Sequence, residues 1–168
     1  KNYAELNKDV KIYLQSLISP KKNSYKEFDI NDYDKNKKKR IHSIVEDEKN
    51  NVIQSLNHLS DETMLFAADM MIGARKVYIA ACGTSEPVGE MLYYRLLSMD
   101  IEVEILHTKN TPLLASQMNN ITKDDVLIIF SFPNYGSTAT NIIKIAKSKQ
   151  AKAICLSDSY TGPASCFC

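Results

Sequence analysis

The sequence predicts an α/β protein: a three-layer αβα sandwich on a parallel sheet, preceded by N-terminal helices. Three observations carry this. From residue 76 onward, short apolar runs alternate with stretches of helical period, the pattern of successive βα units with right-handed crossovers. The run Val126-Leu127-Ile128-Ile129-Phe130 is continuously apolar, as suits a strand buried on both faces. Two runs end in hydroxyl-rich turns that open into helical patterns, Ala81-Cys82-Gly83-Thr84-Ser85 and Ser131-Phe132-Pro133-Asn134-Tyr135-Gly136-Ser137-Thr138.

The first element is a helix over residues 3–17, where Tyr3, Leu6, Val10, Tyr13, Leu14 and Leu17 recur at helical spacing. Ser19-Pro20 ends it, because Pro cannot continue a helix and biases its predecessor away from one. Residues 19–36 are polar and read as a linker. A long helix starts near Asp34 to Lys37, with Ile41, Ile44, Val45, Val52, Ile53, Leu56 and Leu59 as its apolar positions. The run Lys37-Lys38-Lys39-Arg40 reads as a solvated basic turn rather than a nucleic-acid contact. Glu46, Asp47 and Glu48 offset its charge, and no base-stacking aromatics follow. Ser60 stands where an N-cap would start the next helix. Met64, Leu65, Ala67, Ala68, Met71 and Ile72 form the expected packing face, and Gly73 closes the helix.

The period then changes. Residues 76–81 read as a strand. Residues 86–99 read as a helix with Val88, Met91, Leu92, Leu96 and Leu97 inward. Residues 101–106 read as a less buried strand, since Glu102 and Glu104 alternate with apolar residues. A short helix follows over 112–118, then the central strand over 125–131. Residues 138–149 read as a helix with Ile142, Ile143, Ile145 and Ala146 inward, and residues 153–156 as a fourth strand. Gly162 to Cys168 looks like the start of a further element, so at least one more strand is expected beyond this sequence. The chain begins at Lys1 rather than Met, which reads as a piece of a longer protein.

Composition narrows the function classes. The chain has 168 residues, 44% hydrophobic and 24% charged, with a net charge of +1. That is ordinary for a globular domain with a real core, and it gives no overall field for nucleic acid or membrane. No apolar run approaches the roughly 20 residues of a spanning helix, and the expected location is the cytoplasm. Cys82 and Cys155 lie in or beside strands and read as small buried hydrophobes. Cys166 and Cys168 form a C-x-C, but no second Cys/His pair stands at zinc-site spacing. Reduced structural thiols, no metal and no cofactor are the expectation.

Ligands of open α/β sheets bind outside the carboxyl ends of the strands. Helix N-termini there carry unsatisfied N–H groups and the positive end of the dipole. Ser and Thr add donors without bulk. Two such turns at one end of a sheet read as a pocket for a phosphorylated, hydroxyl-rich small molecule. Thr84, Ser85, Ser137 and Thr138 also sit where N-caps belong, so capping is the competing role for each. Glu86 and His107 could supply a base for aldose–ketose isomerisation. Equally, Glu86 suits a dipole partner and His107 a surface residue. A dinucleotide site is disfavoured, because the three-glycine fingerprint is missing.

These residues resemble a known family. From about Glu62 to the C-terminus the chain resembles a SIS (sugar isomerase) domain of the kind found in MurR/RpiR bacterial transcriptional regulators. Cys82-Gly83-Thr84-Ser85 is similar to the first SIS loop, G-x-G-x-S, with Ala81 in place of the first Gly. Ser131 to Thr138 is similar to the second loop in its Ser-Phe-Pro-x-Tyr form, with Gly136 where Ser is usual. Leu156-Ser157-Asp158-Ser159 with Gly162-Pro163 resembles the I-T-D-S…S-P segment. Tyr3 to Val10 resembles the last helix of the helix-turn-helix domain that precedes SIS in this family.

The resemblance implies a SIS-like, flavodoxin-like topology and the following organisation: 1–18 the tail of a helix-turn-helix domain, 19–36 a linker, 37–168 the SIS domain. It implies binding of a phosphorylated sugar or amino sugar at Ser85 and Ser131, with Thr84, Ser137, Thr138 and Gly83 beside them. It also implies no catalysis, DNA contact through an upstream helix-turn-helix domain, and a homodimer or homotetramer. A sugar-phosphate isomerase subunit is the alternative.

Overall fold

The structure is a computed structural model that describes residues 37–133 and 136–168. It divides into two units, Lys1–Asp61 and Glu62–Cys168. The helix predicted near residues 1–18 and the linker lie outside the described residues. Within the first unit, helix α1 (Lys37–Asn57) is the expected long helix. Its apolar stripe is present, but Ile41, Ile44, Val45, Val52, Ile53 and Leu56 are all exposed. Helix α2 (Asp61–Ile72) begins directly after Ser60 and contains no buried residue. Its packing face is narrower than the sequence suggested. Met70 and Met71 pack on the sheet, whereas Met64, Leu65 and Ile72 are exposed.

The second unit is built on four parallel strands: β1 (Val77–Ala80), β2 (Val103–Ile105), β3 (Val126–Ser131) and β4 (Lys152–Ser157). Their order is β2-β1-β3-β4. Every residue of β1 and β3 is buried, which is why neither carries a charge. Strand β2 is at one edge of the sheet, in keeping with the less buried position that Glu102 and Glu104 indicated, Glu104 lying within it and Glu102 just before it. Lys76 Nζ reaches Glu104 at 3.2 Å and Glu102 at 3.4 Å there.

Strand side chains alternate between faces, and each face has its own core. Val77, Ile79, Val126, Ile128 and Phe130 pack with α2 and with helix α3 (Glu86–Leu97). Tyr78, Leu127 and Ile129 pack with helix α4 (Thr111–Asn120) and helix α5 (Ser137–Ser148) through Met118, Ile142, Ile143 and Ala146. Helices on both faces of a parallel sheet make the three-layer sandwich.

Two helix faces differ from expectation. The buried positions of α3 are Gly89 and Leu96, with Leu92 and Tyr93 half-buried, while Val88, Met91 and Leu97 are exposed. Residues 89, 92, 93 and 96 form a regular i, i+3, i+4, i+7 stripe. Its anchor is a glycine, which an apolar-residue pattern cannot register. A Cβ at Gly89 would lie 2.7 Å from the Ala81 Cβ, so the missing side chain lets α3 sit close on β1. In α5, Ala139 takes the inward position expected of Ile145, which is exposed.

The N-terminal end of the sheet is closed by a polar cluster. Asp125 is buried. Its Oδ2 accepts from Arg75 at 2.6 Å, from the Thr122 N–H at 2.7 Å and from the Thr122 hydroxyl at 2.9 Å. Burial alone would raise the pKa of this carboxyl, but the Arg75 and Thr122 hydrogen bonds outweigh it. The pKa falls below the ordinary carboxylate value.

Candidate functional site

The topology sets the place of the site. The chain leaves β1 toward β2 on one side and returns to β3 on the other. The switch point is therefore the crevice at the carboxyl ends of β1 and β3, where open α/β sheets take ligands. Both hydroxyl-rich turns flank it.

The first turn is a single 3-10 turn, Gly83–Ser85, leading straight into α3. Gly83 has φ of +59°, and no atom lies within 4 Å of where its Cβ would be. The glycine is required by backbone conformation, not by crowding. Thr84 is exposed and Ser85 half-buried. Ser85 occupies the N-cap position of α3 but makes no side-chain capping bond. The expected competing role is thus not exercised, and its hydroxyl is not committed to a cap.

The second turn joins β3 to α5. Ser131 is the last residue of β3, is buried, and is the register partner of Ser157 on β4. Gly136 is the N-cap of α5 and offers no side chain, so Ser137 and Thr138 are the first two helical residues instead of caps. Ser137 is exposed and Thr138 half-buried. The first turn of α5 has no acidic residue, which leaves its dipole uncompensated.

The two turns differ in charge. Glu86 folds back so that its Oε1 accepts from the Gly83 N–H at 2.8 Å, and its Oε2 meets Lys109 Nζ at 2.7 Å. The Lys109 ammonium, then the Gly83 N–H, hold the Glu86 carboxyl below the usual carboxylate range. An N–H of the first turn is therefore already occupied by an internal anion. The role of Lys109 was not visible in the sequence. Its loop was identified, but the partnership spans 23 residues.

Beside the first turn, on the β2 side, lies a cavity of about 270 Å³ lined by Glu86, Glu90, His107, Lys109 and Asn110 among others. Asn110 also caps α4, its Oδ1 accepting from the Leu113 N–H at 3.1 Å. The loop after β4 is spent on itself. The Ser165 hydroxyl donates to the Ser159 carbonyl at 2.8 Å, and the Ser159 and Thr161 hydroxyls pair at 3.0 Å. The Ser159 hydroxyl is thus engaged within its own loop, also accepting from the Thr161 N–H at 3.2 Å.

Among the described residues no cluster of three or more His, Cys, Asp or Glu could hold a metal ion. No described helix is long and apolar enough to cross a membrane.

The fold has known relatives. An RpiR transcription factor sugar isomerase domain from Sphaerobacter thermophilus superposes with a TM-score of 0.69 at 22% identity, over 74% of this chain and 69% of that one. The Vibrio vulnificus NanR protein complexed with ManNAc-6P gives 0.60 at 15% identity, over 68% of this chain but only 42% of that one. The MJ1247 protein of Methanococcus jannaschii, for which 3-hexulose-6-phosphate isomerase function has been inferred, gives 0.57 at 23% identity, over 71% and 65%. No curated protein sequence matches the chain. Regulators and isomerases therefore share this fold. The model of the SIS domain family matches residues 70–168, which takes in β1 to β4 and both turns, and the chain belongs to the SIS domain family.

Proposed function

We propose that this chain is the effector-binding domain of a transcriptional regulator of sugar or amino-sugar metabolism, and that it binds a phosphosugar across the crevice between β1 and β3. The observation that carries this is the pair of helices that start there without side-chain caps, flanked by Thr84, Ser85, Ser137 and Thr138. The phosphate belongs at α5, whose first turn has no internal anion. The sugar end belongs at the first turn, where Glu86 and Lys109 offer an acceptor and a donor for hydroxyl groups. Ser131 and Gly83 complete the set.

In the same reading, residues 1–18 are the tail of a helix-turn-helix domain, 19–36 a linker and 37–168 the SIS domain of a cytoplasmic homodimer or homotetramer. The exposed apolar stripe of α1 supports assembly. Differential affinity for two arrangements of that assembly would let the phosphosugar shift DNA binding.

A sugar-phosphate isomerase is the second reading, favoured by one observation. Glu86 and His107 line the same cavity. Against it, a base working near neutral pH needs a raised carboxylate pKa, and that of Glu86 is lowered. The testing experiment is a thermal-shift screen against sugar phosphates and amino-sugar phosphates, with inorganic phosphate as control. A selective upward shift is expected, because a ligand that binds only the native state stabilises it. Incubation with the hit should leave it chemically unchanged. Turnover would establish the isomerase, and no shift in a folded sample would overturn the phosphosugar site.

A further inference from the structure

Strand β2 is an edge, yet its open side is closed where the strand ends. The Glu102 carbonyl and the Leu106 N–H bond to β1. By alternation, the Ile105 carbonyl and the His107 N–H turn the other way, toward the open edge. Both are taken by one side chain of α4. The Gln117 amide donates to the Ile105 carbonyl at 2.9 Å and accepts from the His107 N–H at 2.9 Å. A residue of a neighbouring parallel strand would make the same two bonds opposite Leu106. The other amide proton goes to Glu104 Oε1 at 2.9 Å, and Glu104 Oε2 in turn holds Lys76. Gln117 is buried, and only this orientation of its amide satisfies all three partners.

The loop that begins at His107 carries Lys109. It is short and closed on itself: the Thr108 N–H donates to the Leu106 carbonyl and the Asn110 N–H to the His107 carbonyl, each at 2.9 Å. Asn110 also caps α4. One helix therefore grips the loop at both ends, through Gln117 at His107 and through the cap at Asn110. From between these anchors Lys109 reaches Glu86, which holds the Gly83 N–H. Lys109 is itself exposed, so the course of the loop, not packing around the side chain, brings it there. We infer that Gln117 is a positioning residue for the first turn: by standing in for a strand beside β2 it fixes where the loop leaves the sheet, and so sets Lys109 on Glu86. The consequence for a ligand rests on the phosphosugar reading above, whereas the positioning itself does not.

The test is an NMR titration of the Glu86 side-chain carboxyl in the ligand-free chain. Lys109 is the main cause that holds this carboxyl below the usual carboxylate range, so its pKa reports whether Lys109 is in place. Gln117→Met keeps the side chain's bulk and removes all three bonds. The Glu86 pKa should rise toward the ordinary value in Gln117→Met and in Lys109→Met, and the double variant should add nothing to Lys109→Met, because the two act in series. An unmoved Glu86 titration in Gln117→Met, or additive rises, would overturn the inference. A second measurement needs no variant. The His107 amide, on an exposed residue outside the strand, should exchange with deuterium as slowly as the Leu106 amide that bonds β1. Exchange at the rate of an unprotected amide would equally overturn it. With glucosamine 6-phosphate as probe, Gln117→Met and Lys109→Met should lose affinity by the same factor, and the double variant no more. A loss in Gln117→Met with none in Lys109→Met would contradict action through Lys109. No binding of the probe to the unaltered chain would count against the phosphosugar reading alone, and the Glu86 titration would still decide the positioning.

Discussion

The two ends of the sheet are made from the same strands, yet they are finished differently. At the N-terminal end, charge closes on itself. Asp125 is buried and takes three hydrogen bonds from Arg75 and Thr122, and Lys76 bridges Glu102 and Glu104. At the C-terminal end, α3 and α5 open without side-chain caps. Hydroxyls there stand beside helix N-termini instead of completing them. Polar groups cost free energy when buried unpaired, and even at the N-terminal end the pairing is incomplete: all three bonds go to the Oδ2 of Asp125, and its Oδ1 is buried without a hydrogen-bond partner. At the C-terminal end the Gly83 N–H and the Lys109 ammonium are held by Glu86, while the Ser85 hydroxyl makes no capping bond, and this is the end at which we propose a ligand.

The comparison can be broken most forcefully at Asp125. Asp125→Ala removes three hydrogen bonds to an ionised acceptor and should cost about 3 kcal/mol by chemical denaturation, while phosphosugar affinity stays at the wild-type value. The pH dependence follows the same group. Its folded pKa lies below the unfolded value of about 3.9, so its stabilisation is present above that pH and is lost as pH falls toward the folded value. The acid limb of an unfolding-versus-pH curve should therefore flatten in Asp125→Ala. An unchanged curve would show that the cluster does not hold this end together.

At the other end the expected effects are on binding. Ser85→Ala and Ser137→Ala should each weaken the phosphosugar by roughly 1.5–3 kcal/mol, the worth of a hydrogen bond to a charged group, with no change in melting temperature. Calorimetric titration reads the first and thermal unfolding the second. Equal affinity in both variants would remove the two turns as the site.

Two glycines, Gly83 in the first turn and Gly89 in α3, sharpen the contrast. Gly89→Ala places a Cβ 2.7 Å from Ala81, and overpacking of this kind should cost about 1–3 kcal/mol of stability. Gly83→Ala meets open space but keeps φ at +59°, so only backbone strain of about 1 kcal/mol is expected. Denaturant midpoints of the two variants, compared side by side, separate crowding from strain. A larger loss at Gly83 would contradict the geometry of that turn.

How much was legible in the sequence follows from how local each signal is. The continuous apolar run of β3 and the alternation of Glu102 and Glu104 around β2 announced a central and a less buried strand, because burial on one or two faces dictates composition directly. The turns were legible because each is one contiguous segment. The inner face of α3 was misread, since Gly89 contributes to packing through the absence of a side chain. The Arg75–Asp125 pair was invisible because its partners are 50 residues apart. Glu86 was recognised as a first-turn acid, but its hold on Gly83 and Lys109 depends on where the loop after β2 arrives. Met64, Leu65 and Ile72 carry the right helical pattern and are nonetheless exposed. Periodicity states which face is apolar, not what covers it.

The most direct test of the account is an amide chemical-shift titration of the isotope-labelled chain with the phosphosugar found by thermal shift. Perturbations should concentrate at Gly83 to Glu86 and at Gly136 to Ala139, on the two turns of the β1–β3 crevice. The amides of Arg75, Thr122 and Asp125 should not move. Shifts confined to His107 to Asn110 and the cavity beside β2, or centred on the N-terminal end of the sheet, would contradict it.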